Sequence, residues 1–266
     1  MKRIGNLYEK ICSIENLQLA DEKARKGKLR TYGVIEHDKN REANLLKLRE
    51  TLLNGTFHTS KYDVFTIYEP KEREIYRLPY FPDRILHHAI MNVLEPIWVS
   101  TFTADTYSCI KNRGIHAAAK KVKQALREDP EGTTFCLKLD IRKFYPSINH
   151  DVLKSILRRK LKDKRLLRLL DEIVDSADGV PIGNYLSQYF ANLYLTYFDH
   201  WIKEQKRVKH YFRYADDIVI LAPDKAYLHS LMGEIRAYLG DLKLEVKGNW
   251  QVFPVAARGI DFVGYV

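Results

Sequence analysis

The sequence predicts an α+β fold, and three features carry that prediction. Short runs rich in β-branched and aromatic residues, such as Val64 to Tyr68, Phe135 to Ile141 and Ile218 to Leu221, read as strands. Longer segments repeat apolar residues at helical spacing, as Glu42 to Leu53 does with Leu45, Leu46, Leu48, Leu52 and Leu53. The sequence has no internal repeats, low-complexity tracts or obvious flexible linkers, so its 266 residues read as one large or two intimately packed subdomains with a substantial core.

Each element has its own signal. Residues 1–40 are polar and charge-rich, with short helices expected at Leu7 to Leu17 and Glu22 to Leu29. The helix from Glu42 stops before Asn54-Gly55, a C-terminal signal. Val64 to Tyr68 and Glu74 to Leu78 are strands joined through Pro70-Lys71-Glu72, and helices follow from Asp83 to Leu94 and from Ile115 to Leu126. Phe135 to Ile141 is apolar enough for a buried strand, with helices after it at Asp151 to Leu161, Leu166 to Val174 and Tyr189 to Ile202. Val208 to Arg213 and Ile218 to Leu221 make a hairpin. Pro223-Asp224 opens a helix through Tyr238, and Leu242 to Val246, Trp250 to Val255 and Ile260 to Val266 are expected as late strands.

Composition narrows the function. Lys plus Arg number 44 against 34 Asp plus Glu, a formal charge of +10, which favours a polyanionic partner, although a solvated basic surface accounts for it too. Cys12, Cys109 and Cys136 are odd in number and lack paired metal spacing, so they read as reduced thiols in a cytoplasmic protein. The amino terminus has no apolar signal core and no membrane-length apolar run follows.

The chemistry concentrates in two places. Asp216 and Asp217 sit together at the tip of the hairpin, where like charges either share a proton or are neutralised by a cation, and oxygen-only ligands suit Mg²⁺. A solvated turn explains the pair equally well on its own. Asp140 stands at the carboxyl end of the Phe135 strand. If that strand lies beside the hairpin, the three carboxylates converge and can hold two Mg²⁺ for an in-line phosphoryl displacement. His87 and His88 are adjacent rather than spaced as helical metal ligands.

In this order the segments resemble reverse transcriptases over about Tyr62 to Val266. The resemblance implies a right-hand polymerase fold, with an N-terminal extension and fingers over residues 1–133 and a palm with interleaved fingers helices over 134–266. The family's palm is followed by a helical thumb, and the expectation for this chain is fingers and palm without one. It further implies that Asp140 is the first catalytic aspartate, with the Ile141 backbone carbonyl as an added metal ligand. Tyr214 to Asp217 is similar to the family's Tyr-x-Asp-Asp motif, and the implied cofactor is two Mg²⁺ ions, with Mn²⁺ as substitute. Lys71, Arg73 and Arg77 are implied to hold the incoming triphosphate, and Tyr145 to exclude a ribose 2′-hydroxyl. Arg113 is the preferred template contact, although Lys120, Lys121 and Lys123 after it also read as a solvated face. Phe262, Gly264 and Tyr265 lie in a segment resembling the late-palm primer support. Lys247 stands near the position of a lysine that assists pyrophosphate departure, in imperfect register.

Ile182-Gly183-Asn184-Tyr185-Leu186-Ser187-Gln188 departs from the Gln-Gly to Ser-Pro segment of group II intron enzymes. It resembles instead the enzymes of diversity-generating retroelements, with Ile182 and Gly183 beside the templating pair and Gly183 open to close approach by substrate. That subclass implies a template RNA copied from a cDNA primer with deoxynucleoside triphosphates, errors at template adenines and a basic accessory variability protein. The alternatives are a group II intron-like or other bacterial reverse transcriptase and, in a different class, a noncatalytic RNA-binding scaffold.

Overall fold

The computed structural model describes residues 3–68 and 72–265. The chain divides into two units, Met1–Ser100 with Leu153–Ser187 and Thr101–Val152 with Gln188–Val266. Residues 101–133 fall in the unit that holds the later strands.

In the first unit the expected Leu7 to Leu17 helix is interrupted. Ser13 adopts an extended backbone between helices Tyr8–Cys12 and Ile14–Ala24, and its hydroxyl accepts the Asn16 N–H at 3.2 Å, an N-cap that starts the second helix afresh. The expected Glu22 to Leu29 helix does not form, because the preceding helix ends at Ala24 and Gly27 turns to a φ of 71°. A helix at Tyr32–Asp38 takes its place. Helix Arg41–Asn54 stops as expected on a left-handed Gly55. Strands β1 (Asp63–Ile67) and β2 (Arg73–Arg77) pair as an antiparallel ribbon, largely exposed. A wide helical turn at Tyr80–Arg84 leads into Ile85–Val99, where Ile85, Leu86, Ala89, Ile90 and Leu94 are fully buried. Each such aliphatic side chain larger than alanine contributes roughly 1.5–3 kcal/mol relative to exposure. Asp83 is buried in that turn rather than capping the helix, and accepts the Ser60 N–H at 3.0 Å.

The second unit is built on a four-stranded antiparallel sheet in the order β4-β5-β3-β6, with β3 at Phe135–Asp140, β4 at His210–Tyr214, β5 at Asp217–Ala222 and β6 at Gln251–Pro254. Helices Ile115–Glu128 and Lys225–Asp241 pack on it. Asp224 caps the latter as expected, accepting the Ala226 N–H at 2.7 Å. Ala118, Val122, Cys136, Phe212, Val219 and Leu221 share one buried cluster with Phe253, Ile260 and Phe262. That core fixes the sheet end that carries the acidic residues.

Two expected late strands are absent. Leu242 to Val246 is consumed by the end of helix Lys225–Asp241: Lys243 takes a φ of 60°, and the Lys243 and Leu244 amides donate back to Gly240 and Leu239 at 2.9 and 2.8 Å. Only the stretch from Glu245 to Lys247 reaches the sheet, where Val246 bridges Ile141. The expected Ile260 to Val266 strand, whose last residue lies outside the described ones, instead folds back at Val263-Gly264, whose φ values of 50° and 83° make a tight turn closed by reciprocal Phe262 and Tyr265 main-chain bonds. The three cysteines are free thiols. Among the described residues, no helix is long and apolar enough to cross a membrane.

Candidate active site

The two acidic segments meet at one end of the sheet. β4 ends at Tyr214 and β5 begins at Asp217, with Ala215 between them in the left-handed region at φ 54°. Asp140, the last residue of β3, is the register partner of Asp217, and the Ile141 N–H donates to the Asp216 carbonyl at 3.3 Å. Burial pushes the Asp217 carboxyl up to about 6, with the charges of Asp140 and Asp216 adding to it and Lys138 and the Val263 N–H opposing. Burial and the Asp140 charge likewise push Asp216 up to about 6.

Lys247 enters this cluster because the short Glu245 to Lys247 segment runs along Asp140 to Arg142. The Arg142 N–H donates to Glu245 O at 2.7 Å and the Lys247 N–H to Asp140 O at 2.8 Å. The Lys247 ammonium lies 2.8 Å from Asp140 Oδ1, an ion pair without hydrogen-bond alignment. The three carboxylates do not form a closed cage: among the described residues, no group of three or more His, Cys, Asp or Glu side chains has that arrangement. Mutual repulsion opposes a tighter cluster, and the Lys247 ammonium offsets part of it. Asp140 Oδ1 and Asp217 Oδ1 are nevertheless buried without a hydrogen-bond donor. The Asp217 oxygen has no hydrogen-bond donor and the Asp140 oxygen faces the Lys247 ammonium, and carboxylate oxygens on facing strands fit a hard divalent cation, whose ligands are oxygens.

Tyr145 lies on the short helix Phe144–Ser147, entered through a left-handed Lys143 at φ 45°. Its phenol is pushed up chiefly by burial, with Cys109 and Asp216 adding to the shift. Phe262 is only 2% exposed and belongs to the core, which leaves Gly264 and the exposed Tyr265 as the accessible part of that segment. The Tyr265 hydroxyl meets His116 Nδ1 at 2.5 Å. Arg113 Nη1 donates to Thr103 O at 2.8 Å, which braces a loop.

The remaining candidates lie in the first unit. Arg73 and Arg77 are exposed on β2, and Arg77 pairs with Asp63, its cross-strand neighbour, while its guanidinium stands 5.5 Å over the Phe65 ring. Lys71 falls outside the described residues. The Ile182 carbonyl accepts the Tyr76 N–H at 2.8 Å, and Gly183 has a φ of 108°. A Cβ on Gly183 would stand 2.7 Å from the Tyr76 carbonyl oxygen. The close approach expected of substrate is thus already made by β2. His87 is buried and pushed down to about 3 by desolvation, and His88 stacks on Tyr185 at 4.3 Å. Sequence reasoning missed Asp199 and Arg213, both fully buried; an arginine ending an apolar strand and an aspartate in an aromatic helix were the available signals.

A carboxylate-bearing hairpin beside a third strand-end aspartate, on an antiparallel sheet, defines the class as a palm-type nucleic-acid polymerase domain. The chain belongs to the reverse transcriptase (RNA-dependent DNA polymerase) family, whose pattern matches residues 69–266. Protein YkfC of Escherichia coli (strain K12) is 26% identical over 82% of this chain and 69% of its own length. Group II intron-encoded protein LtrA of Lactococcus lactis subsp. cremoris is 23% identical over 66% of this chain, which spans 31% of LtrA. Apo telomerase from Candida tropicalis shares the fold at a TM-score of 0.55 and 13% identity, over 78% of this chain and 47% of that one.

Proposed function

We propose that the protein extends a DNA primer along a template RNA at the turn bearing Asp216 and Asp217. The observation that carries this reading is the pairing of Asp140 with Asp217 across β3 and β5, with Asp217 Oδ1 buried without a hydrogen-bond donor and Asp140 Oδ1 facing the Lys247 ammonium. The primer 3′-oxygen bonds to the α-phosphorus of a deoxynucleoside triphosphate, the bond from that phosphorus to the bridging oxygen breaks, and pyrophosphate leaves as the hydroxyl proton is lost to solvent. Asp140, Asp216 and Asp217, with the Ile141 carbonyl, would hold two Mg²⁺ ions, or Mn²⁺ in their place, which when bound ease hydroxyl ionisation and offset charge on the leaving group. Tyr145 guards the sugar 2′ position by sterics. Lys71, Arg73 and Arg77 are assigned to the triphosphate, Ile182 and Gly183 to the nascent pair, Arg113 to the template and Gly264 with Tyr265 to the primer. In this assignment fingers give way to palm at about residue 133, and the enzyme works in the cytoplasm.

The Ile-Gly-Asn and Ser-Gln pattern of Ile182 to Gln188 supports a diversity-generating retroelement enzyme, error-prone at template adenines and partnered by an accessory variability protein. A second reading, a group II intron-like enzyme, is favoured by the similarity to LtrA and to Nuclear intron maturase 4, mitochondrial, from Arabidopsis thaliana. Sequencing cDNA made by the wild-type protein on an adenine-containing RNA separates them: errors concentrated at adenines support the first, an even spectrum the second. The polymerase reading itself is tested by primer extension with Asp140→Ala, Asp216→Ala and Asp217→Ala, each expected to abolish or severely reduce incorporation. Normal extension by a folded triple variant would sink it, and a wild-type protein that binds RNA without extending a primer would favour the scaffold.

A further inference from the structure

Beneath the acidic turn lies a closed polar network that the reaction chemistry does not itself use. Arg213 and Asp199 have no solvent exposure, and they form a two-bond fork: Arg213 Nε donates to Asp199 Oδ1 at 2.7 Å and Nη2 to Oδ2 at 2.6 Å. Tyr211 Oη donates to the first oxygen at 2.6 Å and Thr106 Oγ1 to the second at 3.0 Å. The remaining guanidinium nitrogen, Nη1, reaches the Asn192 side-chain oxygen at 3.2 Å and the Ala215 carbonyl at 3.0 Å. Asn192 in turn donates to Ser108 O at 2.7 Å. The main chain of Arg213 is also fixed, its N–H on Asp105 O and its carbonyl accepting from Tyr107, both at 3.0 Å.

A buried ion pair is weak grounds for stability, since an apolar pair of similar volume serves as well. What an apolar pair lacks is the bond to Ala215. That residue holds the left-handed conformation on which the turn depends, and the next carbonyl, that of Asp216, is held from the other side by the Ile141 N–H. Two consecutive carbonyls are thus pinned, one from within the hairpin and one from β3, so the Asp216 and Asp217 side chains leave the backbone in fixed directions relative to Asp140.

We propose that Arg213 and Asp199 are positioning residues, which hold the Ala215 carbonyl and thereby set the spacing of the three aspartates for divalent cations. This rests on the polymerase reading of the site. Arg213→Lys keeps the charge but cannot make the fork and the Ala215 bond together. Asp199→Asn keeps the shape but presents one amide donor to the guanidinium. Arg213→Met with Asp199→Leu removes the charges as a pair, so that no lone buried charge remains to unfold the chain.

The test reads three quantities on the full chain. These are the thermal midpoint, Mn²⁺ affinity by electron paramagnetic resonance, and the separate kcat and KM of primer extension. For variants that fold, the expected result is Mn²⁺ affinity reduced about tenfold or more, kcat reduced at least as far at fixed Mg²⁺ and partly restored by excess Mg²⁺, and KM for deoxynucleotide nearly unchanged. Wild-type Mn²⁺ affinity in the folded Met/Leu double variant overturns the proposal, as does unfolding of all three variants, which would make the pair a folding element. Asp217→Ala serves as the control. If it too leaves Mn²⁺ affinity and extension unchanged, the polymerase reading fails rather than the positioning role.

Discussion

Replacing Asp217 by Asn should stabilise the metal-free protein at neutral pH while removing its activity. A carboxyl whose pKa is about 6 in the fold and 3.8 by its ordinary value binds protons more readily when folded, so ionising it costs stability. Such a displacement corresponds to roughly 3 kcal/mol, which partial solvent access and local relaxation reduce to about 1–2 kcal/mol. The cost is absent below about pH 4, grows as the pH rises towards 6 and is complete above it. Asparagine carries no such charge, and its carbonyl can still accept the Val263 N–H that now faces the carboxylate. Urea unfolding in the presence of a chelator, repeated from pH 4 to 8, should therefore show the variant ahead of wild type by about 1–2 kcal/mol at pH 7.5, with the gap closing towards pH 4. Added Mg²⁺ should stabilise the wild type more than the variant, because a cation that binds only the folded state adds stability by mass action. A gap that is constant with pH, or a variant less stable than wild type at pH 7.5, would refute the claim that burial of this carboxylate is what the fold sustains for its metal.

Three further outcomes follow from the geometry. Tyr145→Val should raise ribonucleotide relative to deoxynucleotide incorporation, measured by competitive single-nucleotide extension; an unchanged sugar preference in an active variant returns Tyr145 to the core. Ile182→Gln should lower misincorporation opposite adenine more than opposite the other bases, read by sequencing the cDNA, and an unaltered spectrum removes Ile182 from the nascent pair. Gly183→Ala should cost about 1–3 kcal/mol in urea unfolding, since the φ of 108° is strained for alanine and its Cβ would press on the Tyr76 carbonyl. A wild-type midpoint would show that the ribbon yields.

The sequence exposed whatever is decided locally. The Tyr214 to Asp217 hairpin, the Asp224 cap and the Gly55 stop are each set by a few neighbouring residues, and the structure forms all three. The partnership of Asp140 with Asp217 was conditional on strand order, a tertiary fact, and β3 does lie beside β5. Leu242 to Val246 and Ile260 to Tyr265 have strand composition but not strand backbone, because helix-end bonds at Lys243 and positive φ values at Val263 and Gly264 override it. Lys247 stood in imperfect register in the sequence and came to Asp140 through main-chain pairing that no side-chain pattern announces. Asp199 and Arg213 lie on different elements, and nothing in either segment names the other.

The bond from Tyr76 to Ile182 gives the first unit a mechanical property. The ribbon of β1 and β2 is short, thin and largely exposed, five residues to a strand, and its motion is set by what holds its base. Its Tyr76 N–H is bonded to the Ile182 carbonyl, and its Tyr76 carbonyl rests where Gly183 leaves no room for a methyl group. Any swing of the ribbon must drag the Pro181 to Asn184 loop with it or break that bond. The loop is anchored in turn through Asn184, whose amide donates to the Tyr62 hydroxyl at 3.1 Å, and Tyr62 lies just before β1. Both bonds lie at the base of the ribbon, because Tyr76 pairs with Val64 and Tyr62 precedes Asp63, so ribbon and loop share one joint there, like two bars of a linkage. A force applied to the arginines on the strand is delivered to Ile182 as displacement.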